Sequence, residues 1–295
     1  MGNITSLGSI VRTHSAEIGN KTALVLGDRT QSWSQLYERS MKMANALAAA
    51  GVGSQDRIAF LDKNGIEHFE VLYGAALLNA VSVDVNFRLA GPEVEYIVNN
   101  AEAKVFIVGP DFVPILDAIA DNLTTAKTIV VIGGHSKFQS YDTFIESGKA
   151  VDPNTPSADG DVAFQLYSSG TTGRPKGVML TNSNFFALIP FAKEMWKFDD
   201  NTVNLVAMPL FHIGGGGWAT AGQALGAKSI IVRDINPVEI VQLIVKHRIS
   251  HAFAVPALLQ FMLMVPDLDK TDFSSLQLIA YGASPISEEI GRAHV

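Results

Sequence analysis

The sequence predicts an α/β fold with largely parallel sheets, built as two linked α/β units. Three observations carry this. Short β-branched and apolar runs alternate with longer segments of helical period. Glycine and proline pairs close many of those runs. A polar, turn-forming stretch near the middle separates two such series.

In order along the chain, residues 57–61 read as a strand, and 66–78 as a helix with Phe69, Leu72, Ala76 and Leu77 on one side. Residues 104–108 read as a strand stopped by Gly109-Pro110, 113–120 as a short helix, and 128–132 as a strand ended by Gly133-Gly134. The stretch 150–161 holds Asp152, Pro153, Asn154, Pro156, Ser157, Asp159 and Gly160 and reads as a linker. Beyond it, strands are expected at 162–167, 203–207, 229–232, 250–254 and 276–281, and helices at 182–197, 237–246 and 256–264. The expected division is therefore a first α/β unit over residues 1–158 and a second over 159–289.

Composition narrows the function. With 47% hydrophobic and 17% charged residues, the chain is too apolar for disorder. Twenty-two basic against 29 acidic residues give a net charge of −7, which argues against a nucleic-acid or anionic-membrane surface. The absence of cysteine removes disulfides, thiolate metal sites and a Cys nucleophile, and fits a cytoplasmic setting. Residues 1–15 lack the basic-then-apolar order of a signal peptide. Met1-Gly2 with Ser6 fits a lipidation pattern, but no second anchoring signal accompanies it. Residues 201–227 contain His212 as their only ionisable group, yet Pro209 and the Gly214–Gly217 run favour buried strand, loop and helix over a membrane span. Residues 251–268 are interrupted by Pro256 and Pro266. No transmembrane segment is expected, and a peripheral membrane contact is left open.

The most informative segment is Leu166-Tyr167-Ser168-Ser169-Gly170-Thr171-Thr172-Gly173-Arg174-Pro175-Lys176-Gly177-Val178. A strand runs into a loop of glycines and hydroxyls with a lysine near its end. Glycines admit close backbone approach and positive φ, consecutive N–H groups make an anion-binding concavity, and Lys176 adds a mobile charge. The set suits a polyphosphate. It is not a Walker A loop, because Gly177 follows Lys176 where that motif needs Ser or Thr. The plain alternative is an exposed turn with a solvated lysine.

The string Ser-Gly-Thr-Thr-Gly-x-Pro-Lys-Gly resembles the phosphate loop of the adenylate-forming (AMP-binding) superfamily, which includes acyl-CoA synthetases, luciferases and peptide-synthetase adenylation domains. Met208-Pro209-Leu210-Phe211-His212 is similar to the family's Pro-x-x-His segment, and Tyr281-Gly282-Ala283-Ser284-Pro285 to its Gly-Ala-x-Pro strand end. Residues 78–89 resemble a further family region that ends in Asn-x-Arg-Leu. The resemblance covers the chain from about Thr5 to Glu288 and implies an acyl-CoA synthetase of the fatty-acid–CoA ligase type. The fold would then be the incomplete N-terminal large domain of such an enzyme. A carboxylic acid, ATP with Mg2+, and coenzyme A are the implied substrates and cofactors.

By the same resemblance, Ser168, Ser169, Gly170, Thr171, Thr172, Gly173 and Lys176 hold the ATP phosphates. Gly282, Ala283, Ser284 and Pro285 line the adenine and acyl side. Lys176 and His212 act on the reacting groups, and Phe211, His212, Gly216 and Trp218 border the acyl pocket. For His212 the plain alternative is a satisfied core imidazole. The apolar stretch 253–264 fits an acyl tunnel and fits core packing nearly as well. The lack of charged side chains in these segments favours fatty or aryl acids over amino acids.

Other signals are set aside. Gly51-Val52-Gly53-Ser54 lacks a dinucleotide fingerprint's third glycine. His247 and His251 stand four apart without an accompanying carboxylate, and no metal site is expected in this chain. The sequon Asn122-Leu123-Thr124 is idle in a cytoplasmic setting. Glu38, Arg39 and Lys42 read as a solvated helix face. The residues Ile290-Gly291-Arg292-Ala293-His294-Val295 break the expected helical spacing and match the translation of a common sequencing-library adapter, so 290–295 is expected to be an artefact. The family's Gly-Tyr-Gly-x-Thr-Glu magnesium segment and its C-terminal catalytic lysine are then expected in a longer gene product, with this chain inactive by itself. The rival expectation is a noncatalytic nucleotide- or acyl-binding module, or an unstable truncated product.

Overall fold

The computed structural model describes residues 4–168 and 173–285. Ser6 and Ser9 form a capping box at the start of α1, Leu7–Ile18. A hairpin follows, β1 (Thr22–Leu26) and β2 (Arg29–Ser32), turning through Gly27 at φ +59°. Ser32 and Gln35 cap α2, Trp33–Ala49. Then come β3 (Arg57–Leu61), α3 (Ile66–Leu77), β4 (Val81–Asp84), α4 (Gly91–Asn100), β5 (Val105–Val108) and α5 (Val113–Ile119). Next are β6 (Thr128–Val131), β7 (Gln139–Ser140) and α6 (Tyr141–Glu146). The second half holds β8 (Val162–Ser168), β9 (Lys176–Thr181), α7 (Asn182–Phe186), α8 (Ile189–Glu194), β10 (Val203–Val206) and α9 (Ile213–Ala224). It ends with β11 (Lys228–Ile231), α10 (Pro237–His247), β12 (His251–Ala254), α11 (Pro256–Leu263) and β13 (Leu278–Tyr281).

Two sheets result. One runs β13-β12-β10-β11-β1-β2 and the other β7-β6-β5-β3-β4-β8-β9. Pairing is parallel throughout except in the two hairpins, β1–β2 and β8–β9. Alternate residues of each strand enter different cores. Ile58 and Phe60, with Leu24, Val206 and Ile231 of the other sheet, join α1, α2, α3 and part of α9 in a shared central layer. Ala59 and Leu61 face α4 and α5. Leu205, Ile230 and Val25 face α10 and α11. The order is helices, sheet, helices, sheet, helices, with both sheets covered on both faces as parallel strands require.

The sheets divide the chain differently from a boundary between residues 158 and 159. The N-terminal β1 and β2 extend the sheet of the second half, and β8 and β9 complete that of the first. The polar stretch 150–161 does lack helix and strand, but turn composition reports a change of direction and says nothing about where the flanking strands pair. The helix expected over 182–197 is two helices. Pro190, which lacks an N–H, sits at the start of α8 and cannot continue the preceding turn. Arg39 and Lys42 are not a solvated face either. Arg39 donates to the buried Glu70 through Nε (2.8 Å) and Nη2 (3.1 Å), Tyr141 donates to the same carboxylate (2.7 Å), and Lys42 pairs with Glu146 (2.7 Å). Among the described residues no helix is long and apolar enough to cross a membrane.

Asp152 fastens the linker to the helical layer. Arg12 donates to both its oxygens, Tyr37 to one of them, and the Asn154 N–H to the other. Burial alone would raise this carboxyl; the donors from Arg12 and Tyr37 outweigh it and hold it down at about 2. The folded value lies below the ordinary value of about 3.9. The stabilisation is therefore complete above about pH 4 and is lost as the pH falls through the folded value. We predict that Asp152→Asn lowers stability by about 2 kcal/mol at pH 7 and flattens the acid limb of the stability curve between about pH 4 and pH 2. Urea unfolding across that range checks this, and an unchanged acid limb refutes it.

Candidate nucleotide and acyl site

The ends of strands from both sheets converge on one region, as ligand sites of open α/β sheets do. In the β8–β9 hairpin, Ser168 and Lys176 are paired across the ladder. Ser169, Gly170, Thr171 and Thr172, four of the expected phosphate-binding residues, lie outside the described residues. The return limb is described. Gly173 has φ +119°, a value that favours glycine, and a Cβ there would meet open space. The Arg174 guanidinium lies 5.2 Å from the centre of the Tyr96 ring, and the Tyr96 hydroxyl donates to Pro175 O (3.4 Å). Ser168 and Lys176 are exposed, and among the described residues the Lys176 side chain has no hydrogen-bond or ion-pair partner. An unpaired cation at the mouth of a glycine-bearing loop fits a polyphosphate.

His212 is exposed, not a core imidazole. It is the N-cap of α9, and its Nδ1 accepts from Gly214 N–H at 3.2 Å. Because Nδ1 accepts, the neutral ring carries its proton on Nε2. The imidazole therefore presents a donor at the positive end of a 12-residue helix, where a carboxylate or phosphate oxygen is favoured.

The preceding segment is held tightly. Asn64, buried after β3, donates from Nδ2 to Met208 O and Val232 O (both 3.1 Å), and its Oδ1 accepts from Leu210 N–H (3.0 Å). Beside it, Asp62 takes two hydrogen bonds from Arg233 (3.0 and 2.8 Å). Lys63 bridges Asp111 (3.0 Å) and Asp234 (2.8 Å). Sequence reasoning passed over Asn64; its only signal was a polar residue between a strand and a helix-starting glycine.

A cavity of about 480 Å³ is lined by residues of β9, α7, α9, β12 and β13 and the segments beside them. Leu180 of β9 with Asn184, Phe185 and Leu188 form one wall, and Ile213, Gly214, Gly217 and Trp218 of α9 another. Trp196, Phe253, Ala280 and Tyr281 complete it. Trp218 is anchored by donation to Asn204 Oδ1 (2.6 Å) and packs on Trp196 (5.1 Å) and Phe253 (5.8 Å). Two expected pocket residues stand elsewhere. Phe211 packs edge-on against Phe87 (5.2 Å), outside the lining. Gly216 is buried against Leu210 O, which a Cβ would approach to 2.6 Å; Gly214 and Gly217 line the cavity instead. Gly282, Ala283, Ser284 and Pro285 follow directly on the lining residues Ala280 and Tyr281. Ala283, Ser284 and Pro285 are exposed, Ala283 with φ +67°.

Two neighbouring features serve structure. His251 shares a hydrogen bond with Ser250 Oγ (2.9 Å), contacts Trp196 O through Nε2 (2.8 Å) and stacks on Phe198. His68 and Asp84 form a buried pair at 3.5 Å beneath the loop that carries Phe87; burial lowers the imidazole and raises the carboxyl, which favours a neutral pair. Among the described residues no three His, Asp or Glu side chains are grouped to hold a metal.

The chain is 34% identical over 294 residues to a fatty acid–[acyl-carrier-protein] ligase of Streptomyces coeruleorubidus, covering 96% of this chain and 55% of that protein. It is 30% identical over 270 residues to a long-chain-fatty-acid–CoA ligase of Mycobacterium tuberculosis, covering 89% of this chain and 52% of that protein. The chain thus spans about half the length of the curated relatives it matches. Its fold matches the inhibitor-bound N-terminal domain of FACL13 from Mycobacterium tuberculosis with a TM-score of 0.87 at 28% identity, over 99% of this chain and 73% of that one. Residues 11–294 match the AMP-binding enzyme family, and with nearly the whole sequence accounted for in this way, the chain belongs to that family.

Proposed function

We propose that this chain is the nucleotide- and acyl-binding part of an ATP-dependent acid–thiol ligase acting on a fatty or aryl acid. One observation carries the reading. The strand that begins at Lys176 and the helix capped by His212 are also two walls of the apolar cavity. Four residues along β9 separate Lys176 from Leu180, about 13 Å at the usual strand rise. A phosphate chain at the loop and an acyl chain in the cavity would meet near the α9 N-terminus.

In the first step a carboxylate oxygen attacks the α-phosphorus of ATP, and the bond to the bridging oxygen breaks. Pyrophosphate leaves and an acyl-adenylate forms. In the second, a thiol, that of coenzyme A in this reading, attacks the acyl carbon and AMP departs. Lys176 and the hairpin loop would offset charge on the β- and γ-phosphates, accompanied by Mg2+ entering with the nucleotide. His212 would donate from Nε2–H to the acyl carboxylate or α-phosphate. Positioning and electrostatic stabilisation supply most of the rate in such transfers. The uncharged aromatic lining suits an acid whose tail carries no charge.

The test is ATP–pyrophosphate exchange with a panel of fatty and aryl acids, on this chain and on its longer parent. We expect exchange by the parent with at least one acid, and Lys176→Ala to lower kcat/KM for ATP by about 100-fold with unfolding unmoved. Unchanged exchange rejects the phosphate role. Nucleotide binding without exchange supports a noncatalytic module instead. For the cavity, Gly217→Val places methyls against Ile213, whose Cδ1 lies 3.1 Å from the added Cβ. At about 0.8 kcal/mol per buried methylene, excluding two or three methylenes should lower kcat/KM for the longest acids by about 30-fold and spare short ones. A uniform loss across chain lengths would refute that placement.

A further inference from the structure

We propose that Asn64 is a positioning residue for His212, acting through the backbone of Met208 and Leu210. The proposal rests on the ligase reading for its kinetic arm only. Asn64 is 4% exposed, and its amide makes three hydrogen bonds, all to backbone beyond its own sheet. Two of them bracket Pro209, which has no N–H of its own to anchor it.

The sheets do not need this amide to stay together. Asp62–Arg233 and Lys63 with Asp111 and Asp234 already join the same strand ends. What the amide adds is a fixed place for residues 208–210. From there the constraint has little room to dissipate. His212 N–H donates to Pro209 O (3.2 Å), and Gly215 and Gly216 N–H donate to His212 O (2.9 and 2.8 Å). A Cβ on Gly215 would stand 2.1 Å from Pro209 O, so helix and turn are in backbone contact. A shift of the 208–210 turn must therefore move the α9 N-cap, and with it the imidazole.

The experiment is a double-mutant cycle of Asn64→Ala and His212→Ala in the parent protein, with Arg233→Met as a control for sheet attachment. We expect Asn64→Ala to lower kcat for adenylation about 10- to 100-fold, with KM for ATP within about twofold of wild type. In the His212→Ala background the same change should cost nothing further. Arg233→Met should lower stability and leave kcat alone. Equal losses in both backgrounds, or an unchanged kcat, would overturn the proposal.

Two measurements on this chain stand apart from catalysis. Hydrogen exchange at the Leu210 amide should accelerate about tenfold in Asn64→Ala, and the His212 ring carbon resonance should shift while core resonances stay. If wild-type parent shows no exchange with any acid, the ligase reading falls and these two measurements decide the positioning role. An unmoved His212 resonance with Leu210 deprotected refutes it.

Discussion

Two parallel sheets that share a helical layer can slide on one another unless something fixes their strand ends, and here a short segment after β3 does this. Asp62, Lys63 and Asn64 send three different interactions across to the ends of β10 and β11: a two-bond ion pair with Arg233, a bridge from Lys63 to Asp234, and the amide contacts to Met208, Leu210 and Val232. The chemistry suits the location. The Asp62 carboxylate is nearly fully buried, and a buried carboxylate without its guanidinium would be strongly destabilising. The amide is neutral and carries no such penalty once its donors and acceptor are engaged. These contacts lie at the carboxyl ends of the strands, and of the three only the Asn64 amide grips the turn that leads to His212.

The distribution of charge follows the same division. Arg12, Arg39, Lys63 and Arg233 all have carboxylate partners that hold helices, linker and sheets in place. Lys176 has none among the described residues, although it sits in a chain of net charge −7 with many carboxylates to choose from. A strand-end lysine on an edge hairpin loses little by remaining solvated, and a surface ion pair would return under about 1 kcal/mol. Its availability therefore costs the fold almost nothing. The return limb of the β8–β9 hairpin is held by Arg174 on Tyr96 and not by the Lys176 side chain.

Much of this was legible in the sequence, and the limits have physical causes. Parallel strands buried on both faces read as short apolar runs, so β3, β5, β6 and β10 to β13 stand out. The strand expected at 162–167 is β8, but the second strands of the two hairpins, β2 and β9, do not stand out. Arg29–Ser32 is wholly polar and Lys176–Thr181 half exposed, so neither shows such a run. Sheet membership was invisible for a different reason: pairing of β1 with β11 joins residues some 200 positions apart, and no local pattern encodes it. For the candidate site, ordered motifs singled out the segment between β8 and β9 and His212. They could not distinguish Gly216 from Gly214 and Gly217, because the face of α9 each occupies depends on where the Pro209 turn presses against the helix.

That last point bears on why α9 begins with four glycines. Each costs roughly 1 kcal/mol against alanine in a helix interior, and the cap is a histidine rather than the better Ser, Asp or Asn. Local propensity thus argues against a helix starting here. The packing explains the choice. Gly215 and Gly216 lie so close to Pro209 O and Leu210 O that any side chain would displace the turn. Gly214 and Gly217 face the cavity, where a side chain would meet Phe253 or Ile213. The helix is then rescued by its remaining length: Trp218, Ala219, Ala221 and Ala224 are buried, and Gln223 accepts from Tyr73 at 2.6 Å. The weak first turn leaves room for the cavity beside an exposed, backbone-held imidazole. It places the destabilised part of the helix at the cavity and the stabilising part in the core.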